Sequence, residues 1–305
     1  MKKFKKLSVS FFLLFIVCVL GACTNVPAEP MQKIDIPSFF ISTHKTKEDV
    51  EYHVTKENTV EITGYTDSSS RTEITIPDDI GGKPVTVIKN FSLFNTDTLQ
   101  KINIGKNVME IGDWALTNNK SMKEFVVSPE NQCFTAEDGV LFSKNKKALI
   151  CYPTAKGVNV DRYGQTTETS KYVVPEGTEE IASRAFYRCG YLTEVTLPST
   201  LKTIGEMAFH RCEKMTKINF PEGLEYIGKD AFTYCTGLTE LVFPASLKKI
   251  ETYAFSFCEN VKHVTFPGDQ ASVELAEKWE PTRDGQRIKD LVVEFLGEPE
   301  KDEAK

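Results

Sequence analysis

The sequence predicts a mainly β repeat solenoid, a stack of coils of about 23 residues in which each coil adds one short strand to a parallel sheet. Three consecutive blocks, 201–223, 224–246 and 247–269, keep Leu, Ile, Ala-Phe, Cys and Phe-Pro at the same places. Seven prolines from position 129 to position 267 recur at intervals of 22 to 24 residues. Because no single coil can bury its apolar residues alone, this rhythm favours stacked coils whose constant residues form interior columns.

The composition is that of a globular domain with an acidic balance. The chain has 305 residues, of which 40% are hydrophobic, enough for a substantial core. Its formal net charge is -6 although residues 1–22 carry four lysines and no acid, so the remainder is more acidic than the whole chain. Affinity for nucleic acid depends on neutralising phosphates, so we expect no nucleic-acid partner.

The first 23 residues, MKKFKKLSVSFFLLFIVCVLGAC, combine a basic start with an apolar run from Leu7 to Leu20. This run is shorter than the roughly 20 residues of a membrane-spanning helix, so residues 1–22 are predicted to be a signal peptide. The sequence LGAC at its end resembles the bacterial lipobox, which implies cleavage before Cys23, lipidation of that cysteine, and a membrane as partner. The alternatives are an ordinary secreted protein cut near Ala22 and a short uncleaved anchor.

Two segments are expected between the lipid and the repeats. Residues 23–48 contain the lipidated cysteine and a tether, because the segment has three prolines and little periodicity. Residues 49–84 are predicted to form an N-terminal β cap, in which the strand-like EITIP ends at Pro77.

The repeats are predicted over residues 85–268, and one coil illustrates their elements. Leu241 and Phe243 lie two residues apart, which places both on one face of a strand, and the next residue is a proline, which cannot donate to a ladder. Ile227 and Ala231 lie four residues apart, a spacing that suits a single helical or 3-10 turn. Each coil is therefore expected to combine one strand with one short helical turn.

Two segments depart from the period. An irregular insert at about 131–157 contains DGVLFSKNKKALICYP, which is typical of a hairpin with a Ser-Lys-Asn turn. Residues 269–305 are predicted to be a C-terminal cap and tail, because terminal repeats need a polar-backed cover. In this cap Val273, Ala276 and Trp279 lie at helical spacing, and the later LVVEFLG reads as a strand.

The repeated pattern LxxIxxxAFxxCxxLxxVxFP resembles the BspA-type leucine-rich repeat family of bacterial surface proteins. The initial segment YHVTKENTVEITGY and the hairpin insert are also similar to parts of that family. Proline occupies the region where commoner leucine-rich repeats carry an asparagine. The resemblance implies a leucine-rich repeat solenoid of about nine coils that binds a host matrix or surface protein, another cell, or a surface polysaccharide.

Four cysteines lie 23 residues apart and share one column of the predicted solenoid: Cys189, Cys212, Cys235 and Cys258. A metal or redox ladder is one interpretation, and a stack of small buried side chains is the other. Metal sites usually contain close pairs such as C-x2-C, which the sequence lacks, so packing is favoured. Cys133 and Cys151 flank the hairpin and are the better disulfide pair.

The sequence offers no catalytic or metal-binding motif. His210 follows the Ala-Phe turn whereas His263 lies in a strand, so the two cannot share a metal within the solenoid. A Gly-x-Ser-x-Gly elbow, an HExxH helix and a phosphate-cradling loop are absent from the sequence. We therefore expect no metal, no cofactor and no catalysis.

Two surface columns are candidate binding sites. The first is the outward face of the strands, where leucine-rich repeat proteins commonly bind partners, and it reads Lys101, Glu124, Glu194, Lys217, Glu240 and His263. Its alternating charges are also an ordinary surface arrangement. The second, named here the ridge, contains the arginine and aromatic residue types that anchor interfaces, namely Arg188, Arg211, Tyr234 and Phe257. The alternative for the ridge is that its rings pack over neighbouring turns.

These observations predict a monomeric lipoprotein, anchored outside the cytoplasm and exposed at the bacterial cell surface, that binds an extracellular protein or polysaccharide. A structural or accessory role in the producer's own cell envelope is the first alternative. A hydrolase with a site outside the repeats, near the hairpin or the C-terminal cap, is the second.

Overall fold

The chain forms a mainly β solenoid of about nine turns with almost no helix, as predicted. The structure, a computed structural model, describes residues 44–47, 49–66, 71–159, 166–268, 270–283 and 286–297. The predicted signal peptide, Cys23 and most of the predicted tether lie outside these residues.

The described residues contain twelve strands up to the end of the hairpin insert and thirteen after it. The first group is β1 (His44–Lys45), β2 (Val50–Val54), β3 (Val60–Tyr65), β4 (Glu73–Ile76), β5 (Asp79–Ile80), β6 (Lys83–Ile88), β7 (Lys101–Ile104), β8 (Glu110–Ile111), β9 (Glu124–Val127), β10 (Phe134–Glu137), β11 (Val140–Ser143) and β12 (Ala148–Cys151). The second group is β13 (Ser170–Val173), β14 (Glu180–Ile181), β15 (Leu192–Thr196), β16 (Thr203–Ile204), β17 (Lys217–Ile218), β18 (Tyr226–Ile227), β19 (Glu240–Val242), β20 (Lys249–Ile250), β21 (His263–Phe266), β22 (Glu274–Leu275), β23 (Thr282–Arg283), β24 (Gln286–Arg287) and β25 (Val292–Phe295).

Each regular coil contributes to two parallel ladders rather than one. The predicted strand forms the first ladder, which is divided into the sheets β4-β7-β9, β13-β15-β17 and β19-β21-β25. The second ladder, β12-β14-β16-β18-β20-β22, stacks the isoleucines of successive coils, with Ile204 opposite Ile227 and Ile227 opposite Ile250. The sequence did not reveal this ladder, because strands of two residues are too short to show alternation.

The turn between the two ladders is present where the spacing predicted it, but it is not helical. The backbone N–H groups of Met207, Phe209 and Arg211 donate sideways to carbonyls of the next coil, at 2.9, 2.7 and 2.8 Å. Met207 and Arg211 have φ angles of 54° and 60°, outside the range of a right-handed helix. The N–H groups that alternate with these, those of Ala208, His210 and Cys212, donate three residues back, so bonds between coils alternate with turn bonds. The described residues contain a single 3-10 helix, Gln270–Ser272.

The core is made of columns that run through the stack. Phe186, Phe209, Phe232 and Phe255 are fully buried, and adjacent rings stack with centroids 4.7 to 5.0 Å apart. The coils approach so closely beside this column that a Cβ on Gly228 would lie 2.7 Å from the backbone nitrogen of Glu206. The constant residues of the repeat are therefore interior packing positions.

The structure agrees with the predicted hairpin and with part of the prediction for the end of the chain. Strands β11 and β12 pair antiparallel, as the hairpin prediction requires, and β10 adds a third strand. The strand predicted at LVVEFLG forms β25, which pairs with β21. The helical spacing of Val273, Ala276 and Trp279 was misleading, because this segment forms β22 and turns. Strand β22 extends the isoleucine ladder, and Trp279 packs edge-on against Phe266 with centroids 5.8 Å apart.

Candidate binding surfaces

The cysteine column is packing, as predicted. The described cysteines are all free, so Cys133 and Cys151 do not form the disulfide considered above. The thiols of Cys212, Cys235 and Cys258 point at carbonyls of the preceding coil, at 3.2, 3.1 and 3.1 Å. Burial raises the pKa of the thiols in this column, that of Cys258 to about 12. Since the thiolate is the reactive form, these cysteines are chemically inert at neutral pH.

The six predicted residues of the strand face lie on the first ladder, distributed over its separate sheets. Lys101 lies beside Glu124 with Nζ and Oε1 3.5 Å apart, and Lys217 lies beside Glu194 at 3.7 Å. Glu194 also pairs with Lys171 at 2.8 Å, and these lysines hold the pKa of its carboxyl below the usual value. The remaining two, Glu240 and His263, are opposite each other in β19 and β21.

This face is largely self-neutralised. Its ion pairs are exposed, so each contributes about 0 to 1 kcal/mol to stability. Four exposed valines also lie on strands of the first ladder: Val126, Val173, Val242 and Val292. They belong to three different sheets, with Val242 and Val292 in the same one.

The ridge brings its four predicted residues to one repeat position on the turn side. Arg188, Arg211, Tyr234 and Phe257 have φ angles of 59°, 60°, 64° and 58°. The guanidinium of Arg211 lies over the ring of Tyr234 at 4.3 Å, and Tyr234 stacks on Phe257 with centroids 4.5 Å apart. The rings thus pack over neighbouring turns, as the alternative interpretation held, while Arg188 stays exposed.

A second row of side chains, named here the floor, lies beside the ridge. Tyr187 stacks on His210 with centroids 5.2 Å apart, and His210 meets the ring of Tyr234 edge-on at 5.8 Å. Burial, with help from Arg211 and Arg188, lowers the pKa of His210 to about 4, so the imidazole is neutral at physiological pH. His263 is exposed in β21, so the two histidines lie apart as expected.

A cleft lies at the start of the ridge, and Thr154 of the hairpin insert contributes to its lining. Arg188 Nη1 donates to Oδ1 of Asn118, a residue 70 positions earlier in the chain, at 2.9 Å. Arg188 and Arg211 line a cleft of about 240 Å³ together with Lys120 and Glu213. Two ridge arginines therefore share one depression, an arrangement that can receive acceptor groups of a partner.

Two further structural findings bear on function. Within the described ranges, no group of three His, Cys, Asp or Glu side chains is placed to hold a metal ion. No helix in those ranges is long and apolar enough to cross a membrane.

A stack of 23-residue coils with two parallel ladders defines a leucine-rich repeat protein. The chain belongs to the family described as BspA type leucine rich repeat region, which matches residues 52–150 and 158–275 with six copies of the repeat. A comparison with curated proteins finds no match.

Several solved structures are similar at low sequence identity. A leucine rich cell surface protein from Faecalibacterium prausnitzii is 17% identical, with 77% of this chain and 94% of that chain covered and a TM-score of 0.46. The pneumococcal vaccine antigen PcpA is 18% identical, with 84% and 98% covered and a TM-score of 0.44. A leucine-rich repeat protein from Eubacterium ventriosum is 15% identical, with 78% and 93% covered and a TM-score of 0.38.

Proposed function

We propose that the protein is a cell-surface binding lipoprotein that presents its ridge to an extracellular protein or polysaccharide, without catalysis. The observation that carries the proposal is the ridge itself, where arginine and aromatic side chains recur at one position of four successive coils. Arginine and aromatic side chains supply most of the binding energy in protein interfaces. Membership of a family of repeat proteins found at bacterial surfaces supports the same conclusion.

The ridge is a better candidate than the strand face. On the strand face Lys101 and Glu194 each already pair with two opposite charges, and a partner would have to replace those contacts. On the ridge the guanidinium of Arg188 has no carboxylate partner among the described residues and bonds only to an amide. An exposed, unneutralised guanidinium is available for a charged or polar partner.

The lipid on Cys23 would hold this surface outside the cytoplasm. We expect mass spectrometry of the mature protein to find an acylated cysteine as its first residue, because the lipobox-like LGAC ends at that position. Changing Cys23 to alanine is expected to release the protein from the membrane fraction. An unmodified mature N-terminus at Thr24 would contradict the anchor and leave the ridge proposal standing.

A binding screen tests the proposed function. The mature protein should bind at least one component of a panel of matrix proteins, surface glycans and cell-envelope extracts, with a Kd in the micromolar range or below. Binding confined to the producer's own wall or membrane proteins would instead support the envelope role. Turnover of a panel component, abolished by a point change that leaves binding intact, would contradict the absence of catalysis.

A further inference from the structure

The side chains of the floor beside the ridge become smaller along the solenoid. At one position of four successive coils the side chains are Tyr187, His210, Thr233 and Ser256. The two large rings fill their coils and contact each other, whereas the two small hydroxyl residues do not reach as far. As a result, a cleft of about 620 Å³ opens at the C-terminal end of the ridge. This volume lies within the roughly 300 to 1,000 Å³ of small-molecule sites.

Aromatic rings border this cleft on both sides of its floor. Tyr253 and Phe257 are four residues apart in one turn, with Ser256 between them, and all three line the cleft. Tyr253 is 38% exposed, so its side chain is open to solvent. Phe257 is held in place by its stack on Tyr234. The cleft therefore presents apolar ring surface in a fixed position rather than on a mobile loop.

Polar groups surround the same space. Asp230, Lys278, Glu280 and Thr282 complete the lining. The Lys278 ammonium lies 5.7 Å from the centre of the Tyr253 ring and 3.5 Å from its hydroxyl. Burial raises the pKa of the Asp230 carboxyl, which a nearby hydroxyl of Thr233 partly offsets. Carboxylate, ammonium and hydroxyl groups thus offer both donors and acceptors around an apolar wall.

The floor of the cleft carries two hydroxyl groups, those of Thr233 and Ser256. The Thr233 hydroxyl lies 2.8 Å from the Tyr253 carbonyl and 3.2 Å from Asp230 Oδ1, so its hydrogen-bonding needs are met internally. Ser256 is only 5% exposed, and it lines the cleft. Its hydroxyl can donate and accept a hydrogen bond, so it adds a polar group at the bottom of the cleft.

We propose that this cleft binds a single pyranose unit of a neutral polysaccharide. A pyranose has an apolar face that stacks on an aromatic ring and a rim of hydroxyls that need both donors and acceptors, which matches Tyr253, Phe257 and Ser256. The lining carries two carboxylates, Asp230 and Glu280, against one ammonium, Lys278, and this balance disfavours an anionic sugar. The inference rests on the proposed binding function and specifies the chemistry of the partner.

The test is binding of neutral tetrasaccharides of glucose, galactose, mannose or N-acetylglucosamine to the full mature protein, measured by calorimetry and ligand-observed NMR. We expect at least one to bind with a millimolar or lower Kd. Ser256→His should weaken that binding at least tenfold, because it fills the floor with the residue that the fold already holds at position 210. Tyr253→Ala should do the same by removing the stacking wall.

The matched control is Phe91→Ala. Phe91 occupies the same repeat position as Tyr253, with a φ of 61° against 62°. It is exposed and belongs to a much earlier coil than the cleft residues. Its replacement should change the Kd less than twofold. Equal melting temperatures for the variants exclude unfolding as the cause of lost binding.

Three results would overturn the sugar site. They are no detectable tetrasaccharide binding, equal binding by Ser256→His and the parent protein, and binding only to a polyuronate tetrasaccharide. If the screen above has meanwhile found a protein partner, these results refute the sugar site and leave the proposed function intact. If the screen finds no partner but the tetrasaccharides bind as described, the sugar site stands by itself.

Discussion

Replacing Phe232 by alanine is expected to lower the free energy of unfolding by about 3 to 5 kcal/mol. The ring is fully buried and stacks between Phe209 and Phe255, with both centroid distances 5.0 Å. Phe220 also meets it edge-on at 5.6 Å. Removing the ring leaves a cavity in the middle of a column, where the neighbouring coils are held by backbone ladders and cannot collapse fully. Equilibrium unfolding in urea measures the loss.

The control for this change lies in the same coil. Val242 is 57% exposed on the strand face, and Val242→Ala should lower the free energy of unfolding by less than about 0.5 kcal/mol. A Phe232→Ala variant that loses no more than Val242→Ala would show that the constant phenylalanines are not the packing columns of the solenoid.

The constant residues of the repeat made the core predictable. Proline after most strands and the pair Leu241 and Phe243 indicated the phase of the first ladder, and the 23-residue spacing indicated which side chains stack. The absence of close cysteine pairs was enough to identify Cys212 and Cys235 as buried packing, since metal sites need several ligands within one coil or turn.

The spacing of residues within one coil predicted the wrong backbone conformation at the turns, because hydrogen bonds between coils determine the structure there. The four-residue spacing of Ile227 and Ala231 suits a helical turn, but the backbone there makes sideways hydrogen bonds to the next coil and has positive φ angles at Asp230 and Tyr234. The same competition explains the C-terminal cap, where Glu274 and Leu275 join the isoleucine ladder instead of forming a helix. Such partners lie about 23 residues away, outside the window in which a helical pattern is judged.

The ridge was predictable as a column, but its surroundings were not. Repeat position alone brought Arg188 and Phe257 into one line. The cleft beside Arg188 is also lined by Asn118 and Thr154, which the repeat spacing does not place next to Arg188. The C-terminal cleft is lined by Thr233 and Ser256, which are smaller than His210 at the same repeat position; the sequence shows this difference in size but not the cleft.

The second large effect concerns the ridge as a binding surface. Changing Arg188, Arg211, Tyr234 and Phe257 together to alanine removes two guanidinium groups and two stacked rings from one line of the surface. Anchor residues of this kind each contribute on the order of 1 to 2 kcal/mol or more to binding. We therefore expect the fourfold change to raise the Kd for the partner found in the screen at least about 100-fold.

A fourfold change on the strand face is the matched control. The control changes four exposed or half-buried residues, as many as the ridge variant: Glu124, Glu194, Lys217 and Glu240. Their replacement by alanine leaves every interior column intact. Circular dichroism and the melting temperature of both variants establish that each remains folded.

The most direct measurement of the central claim is the Kd of these two variants for the same partner, determined side by side with the parent protein. We expect at least about a 100-fold loss of affinity for the ridge variant and less than about a threefold change for the strand-face variant. A folded ridge variant that binds as tightly as the parent, with the loss confined to the strand-face variant, would contradict the assignment of function to the ridge.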